Sequence, residues 1–164
     1  MQNNFFKLLL IVTLSLLLFL SCSTIKSNIK RNDNKTDKWV NYLVGKNGNA
    51  FYVTSSYSTH STVWSYVNDQ IMIYRLASGK ILKVEKHTRK ANFINEIPSS
   101  NDINSVLRNR CGYELDGDIF GYKIKKREKF IELSFPVNIE CLKNGKYDSV
   151  FLSEITGDIT NYNL

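Results

Sequence analysis

Residues 71–86 read IMIYRLASGKILKVEK, two apolar-rich runs on either side of Ala77-Ser78-Gly79. Isoleucine, tyrosine and valine suit a pleated, half-buried surface, and Gly79 can take the positive φ that a tight turn needs. The stretch therefore predicts a hairpin of residues 71–76 with 80–86, and an antiparallel sheet becomes the frame for the rest of the chain.

Working outward toward the N-terminus, residues 63–67 (VWSYV) and 50–54 (AFYVT) read as strands, with Asn68-Asp69 as a turn. Residues 54–62 (TSSYSTHST) read as a loop or polar edge, and residues 39–44 (WVNYLV) as one more strand closed by Gly45-Lys46-Asn47-Gly48. Toward the C-terminus, residues 98–111 (PSSNDINSVLRNRC) change character. Ser99 to Asn101 offer capping oxygens, Asp102 falls in a first turn, and Arg108 and Arg110 fall in a last turn before Gly112. Ile103, Val106 and Leu107 share one helical face, so a short helix is expected over about residues 99–111.

Strands then return. Residues 119–124 and 130–135 flank a tip, Lys125-Lys126-Arg127-Glu128, and Ile131, Leu133 and Phe135 alternate with Glu132 and Ser134. Pro136 suggests a bulge or change of strand. Residues 137–142 and 147–152 flank Asn144-Gly145, a strong hairpin signal that would put Val137, Ile139 and Cys141 on the core face. The tail after Gly157 reads as loosely held. Together these readings predict a β-dominated α+β domain: an antiparallel twisted sheet of about seven to nine strands with one short helix on a face. A small barrel or sandwich is the second choice.

The 164 residues suit one domain, and a 43% hydrophobic content excludes a disordered or fibrous chain. Three cysteines exclude a cysteine-dense scaffold. The net charge of +7 points toward anionic partners.

At the N-terminus, Lys7 is followed by a run from Leu8 to Leu20, LLLIVTLSLLLFL. That is the length of a signal-peptide apolar region, and short for a bilayer-spanning helix. The run ends Phe19-Leu20-Ser21-Cys22, which resembles the lipobox of bacterial lipoproteins. The resemblance covers residues 1–22 alone. It implies a signal peptide over 1–21, acylation of Cys22 with a diacylglyceryl group and palmitate, and Cys22 as mature N-terminus. An uncleaved signal anchor and plain secretion are the alternatives.

If Cys22 carries lipid, Cys111 and Cys141 remain as a pair, and a compartment outside the cytoplasm permits a disulfide between them. Two buried free thiols are the alternative. Residues 22–38 then form the lipidated cysteine and a polar tether. Its five cations (Lys26, Lys30, Arg31, Lys35 and Lys38) outnumber Asp33 and Asp37 for a net +3, which would either favour anionic headgroups or simply solubilise a spacer. The globular domain is expected over residues 39–164.

Motifs for acyl transfer, zinc proteolysis, redox pairs, phosphate loops and dinucleotide binding are absent from the sequence. His60 lies among serines and threonines and reads as a loop residue, and His87 as a solvated strand residue. Glu114, Asp116 and Asp118 carry oxygens that calcium accepts, yet Asp-Gly-Asp builds turns anyway. The notable feature is a concentration of cations at Lys123, Lys125, Lys126, Arg127 and Lys129, with Tyr113 and Tyr122 nearby in sequence. Lys83, Lys86, Arg89 and Lys90 form a second basic run. Either could meet an anionic envelope polymer, lipid or acidic protein, or serve as a solubilising tip and charged edge.

The sequence thus predicts a non-enzymatic envelope lipoprotein held at a membrane outside the cytoplasm, the outer one where the host has two. It acts by binding an envelope protein or anionic polymer, with no nucleic acid, no metal and no cofactor beyond the lipid on Cys22. An inhibitor or immunity-type protein is the runner-up. A purely structural spacer, and an enzyme on envelope polymers using Glu114, Asp116, Asp118 or His60 as acid–base groups, come after it.

Overall fold

The hairpin of residues 71–86 is at one side of a single six-stranded antiparallel sheet in the computed structural model, which describes residues 35–164. The strands are β1 (Asn49–Thr54), β2 (His60–Val67), β3 (Gln70–Ala77), β4 (Lys80–Thr88), β5 (Asp118–Lys126) and β6 (Lys129–Val137), in the order β4-β3-β2-β1-β5-β6. Ser78 and Gly79 both have positive φ at the β3–β4 turn, as do Asn68 and Asp69 at the β2–β3 turn. Such turns match the right-handed twist of a hairpin. Asn49 extends the β1–β2 pairing with its side chain, which accepts from Tyr66 N and donates to Tyr66 O.

Helices cover both faces. Helix α1 (residues 35–47) lies on one face, burying Val40, Leu43 and Val44 against Ala50, Val63 and Leu76. Helices α2 (Ser100–Cys111), α3 (Ile139–Asn144) and α4 (Val150–Asn161), with a short 3-10 turn (Asn92–Glu96), build the larger core on the other. There Phe51, Trp64, Tyr122 and Phe151 are fully enclosed, with Phe51 5.8 Å from Trp64 and Tyr122 5.5 Å from Phe151 between ring centroids. No helix among the described residues is long and apolar enough to cross a membrane.

The β-rich α+β class matches the expectation, but the sheet has six strands, and it is open rather than a barrel or sandwich. The missing strands are helices. Residues 39–44 belong to α1, because Thr36, Val40, Leu43 and Val44 recur with helical spacing, and only a window beginning before Trp39 reveals it. Residues 35–38, assigned to the tether by composition, lie in this helix, and Thr36 is buried on Ser61. Residues 22–34 lie outside the described residues.

The Asn144-Gly145 hairpin is also replaced by helices. Asn138 caps α3 by accepting from Glu140 N and Cys141 N, and Ser149 caps α4 by accepting from Leu152 N. Gly145 has a negative φ of −69°, so it ends α3 without the left-handed turn expected of it. Phe151, Leu152, Ile155 and Ile159 then share the buried face of α4.

Smaller departures have local causes. The tail is held, not loose: Leu164 is buried, and Arg75 donates to the carbonyls of Tyr162 and Asn163 at 2.7 and 2.8 Å. Pro136 continues the β6 ladder opposite Ile119, because an edge strand can spare an N–H. The helix expected over 99–111 is α2, capped by Ser99 and closed at Gly112, with Ile103 and Leu107 buried and Val106 exposed.

Candidate functional site

Strands β5 and β6 end in the tip Lys126–Lys129, where Arg127 has a φ of 57°. A left-handed arginine is strained, since its Cβ crowds the backbone. Lys125, Lys126, Arg127 and Lys129 are exposed, and among the described residues none of the four enters an ion pair.

Lys123, grouped with them in the sequence, is separated by the structure. Its ammonium donates to Asn41 at 3.2 Å, pairs with Glu132 at 3.4 Å, and lies 5.0 Å from the Phe130 ring centroid. It sits in a cleft of about 350 Å³ between α1 and β1, β5 and β6, which Asp37, Asn41, Tyr52 and Ser134 also line. Burial pushes the Asp37 carboxyl above its ordinary value, with Lys123 opposing. Gly121 makes room for the cleft wall: a Cβ there would fall 2.3 Å from the Tyr52 ring. The sequence alone does not reveal this cleft, because its carboxylate and amide come from α1, whose residues read as tether and strand by composition.

Tyr122 does not join the basic surface. It is buried beneath the helices, and burial pushes its phenol up to about 12 against the opposing hydroxyl of Ser100. Tyr113 is exposed, with its ring edge against Phe135.

Cys111 and Cys141 form a disulfide with Cα atoms 5.8 Å apart, which ties the end of α2 to α3. Cys22 lies outside the described residues.

The acid–base candidates Glu114, Asp116, Asp118 and His60 lie at one end of the sheet, around the β1–β2 loop, where Thr54 pairs with both Ser61 and Ile119 and Ser56 donates to Asp118 and to the Asp116 carbonyl. His60 begins β2 and His87 nears the end of β4, at opposite ends of the sheet. His87 packs on Tyr162 with ring centroids 4.9 Å apart. Asp118 accepts from Ser56 N, so it holds the β1–β2 loop, and Glu114 O receives Gly117 N in the turn before β5. Among the described residues no three histidines, cysteines or carboxylates are grouped to hold a metal ion.

The second basic run is partly consumed by structure. Arg89 donates to Asp158 at 2.7 Å and to Glu154, and Tyr66 OH donates to Asp158 at 2.6 Å. Asp158 is buried, and desolvation raises its pKa against the hydrogen bonds from Tyr66 and Arg89. Both carboxylate oxygens are engaged, so this group clamps α4 to the sheet. Arg89 is drawn out of the basic run; Lys86 and Lys90 stay exposed, and Lys83 lies 3.5 Å from Glu85.

The chain matches no family model, no curated protein and no solved structure. The functional reading therefore stands on the residues and their arrangement.

Proposed function

We propose that this chain is a non-enzymatic binding module of a bacterial cell envelope, held by a lipid on Cys22, that presents the β5–β6 tip to an anionic envelope partner. One observation carries the reading: four unpaired cations project from the end of the sheet opposite the end where the tether joins.

The topology gives that separation. Lys35 donates to Ser78 O, and Thr36 meets Ser61, so the first described turn of α1 sits at the β3–β4 turn. Helix α1 then runs to Asn47, beside Gly48, whose carbonyl accepts from Lys125 N at the tip end. Nine-residue strands separate the two ends by about 30 Å. An anchor at one end and free cations at the other suit a protein that reaches from a membrane toward something else. The lipobox-like residues 19–22 supply the anchor, and a disulfide accords with an oxidising compartment.

Capture from a solubilised envelope, with the full chain as bait, tests this. Replacing Lys125, Lys126, Arg127 and Lys129 by glutamate should cut recovery of the partner about tenfold or more, and raised salt should act in the same direction. Recovery unchanged by both contradicts the reading. A single tightly held acidic protein would make this an inhibitor or immunity-type module. The intact mass tests the anchor, since the reading requires a chain beginning at Cys22 and heavier by its lipid.

A further inference from the structure

We infer that the side of the domain formed by α1, β3 and β4 is a membrane-docking surface, seated on a bilayer rich in anionic lipid. The orientation rests on the Cys22 reading above, while the chemistry of the surface does not.

Strand β4 is unusual for a nine-residue strand, because every side chain but Glu85 is exposed. On its α1-facing side the register places Val84 beside Tyr74 and Ile81 beside Leu76. The Trp39 ring stacks on Tyr74 at 5.8 Å and meets Tyr42 edge-on at 5.7 Å. Its indole N–H is satisfied by Gly79 O, so the ring can lie in an apolar phase at no hydrogen-bonding cost. Tyr42, Trp39, Tyr74, Val84 and Ile81 thus form one continuous strip, of which Tyr42 is 54% exposed and Val84 46%. Tryptophan and tyrosine beside aliphatic residues favour the level of lipid headgroups.

Lysines rim the strip. Lys35 and Lys46 flank it on α1, where Lys46 approaches the Tyr42 ring. Lys86 flanks it on β4, opposite Met72 on the same face. The carboxylates of these three elements point elsewhere: Asp37 lines the cleft on the far side of α1, and Glu85 pairs with Arg75 on the other face of the sheet. Basic residues around an apolar strip attract anionic headgroups and repel a second copy of the same surface.

The point of attachment agrees. Residues 23–34 separate Cys22 from α1, and a chain of that length spans at most about 40 Å. It joins the domain at the β3–β4 turn, beside the strip, and so keeps this side near the anchoring bilayer. The β5–β6 tip then points away.

The sequence contains its own reporter. Of its two tryptophans, Trp64 is fully buried and Trp39 lies in the strip. The full chain, purified from its native membrane, is reconstituted into phosphatidylethanolamine–phosphatidylglycerol vesicles with brominated acyl chains. About half of the tryptophan emission should be quenched, and Trp39→Phe should abolish the quenchable part. The pair Ile81→Glu and Val84→Glu, both on exposed positions, should reduce quenching at least about twofold with near-ultraviolet dichroism unchanged. Trp39 emission unquenched in the vesicle-bound wild type overturns the inference, as does shielding of Trp39 in a cross-linkable dimer. The mass of the same sample keeps the two readings apart. A lipidated chain with unquenched Trp39 contradicts the docking surface alone, and a quenched chain without lipid contradicts the Cys22 anchor alone.

Discussion

Strands β4 and β6 both lie at an edge of one sheet, and they are protected in different ways. On β6, Leu133, Phe135 and Val137 are buried under helices, Ser100 of α2 donates to Glu132 O at the margin, and Pro136 removes a donor. Strand β4 has no helix over most of its length. It carries Lys80, Lys83 and Lys86 and a register shift opposite Arg75 and Leu76, all of which discourage pairing with another copy of itself. The fold thus completes one margin from within and leaves the other open to its surroundings. The fixed margin is also the one that projects the four free cations of the tip.

The two sides are fastened differently as well, and this can be broken selectively. The largest effect is expected at the β4 side. Asp158→Ala leaves Arg89 without its buried partner and the Tyr66 O–H without an acceptor, and chemical denaturation should show a loss of about 3–5 kcal/mol. Hydrogen exchange should rise first at the end of β4 and in α4. At the β6 side, reducing Cys111–Cys141, or replacing both by serine, should cost about 3–4 kcal/mol. The accompanying exchange should rise in α2 and α3 and leave the β3–β4 hairpin protected.

A smaller effect of opposite sign is expected at the tip. Arg127→Gly relieves a left-handed residue and should raise stability by about 1 kcal/mol in thermal melts, while weakening capture of an anionic partner. A gain in stability with a loss in binding would mark the tip as a surface kept for contact.

The smallest effect concerns pH at β4. Hydrogen bonding from Arg75 holds the Glu85 carboxyl below its ordinary value of 4.5. A depressed acid contributes stability above its unfolded value and loses it as pH falls through the folded one. Glu85→Gln should therefore flatten the acid side of a stability profile, by less than about 1 kcal/mol because the pair is partly exposed.

How much of this was legible in the sequence depended on how local the signal was. The β3–β4 and β5–β6 hairpins and α2 could be read because turn and cap residues sit directly beside the elements they set. Residues 39–44 and 139–161 could not, for physical reasons. Short apolar runs fit either period, and the deciding contacts are distant, such as Val40 and Leu43 on the sheet or Phe151 on Phe51. The caps Asn138 and Ser149 were nevertheless in plain view, and Asn144-Gly145 outweighed them. The basic tip was legible as composition. Its separation from Lys123 was not, since Lys123 shares a face with Lys125 and is set apart by Asn41, distant in sequence, and by Glu132; nor was the burial of Tyr122, which depends on which face of β5 the larger core covers.

The central claim is that the two sides of the sheet face different surroundings, and lysine footprinting of the membrane-held protein tests it most directly. The full chain on its native membrane is labelled with an amine-reactive reagent and compared with the same chain in detergent. The account predicts protection of Lys46 and Lys86 by the membrane and full labelling of Lys125, Lys126 and Lys129, until an anionic partner is added. Equal labelling of both groups, or protection of the tip by the membrane alone, would contradict it.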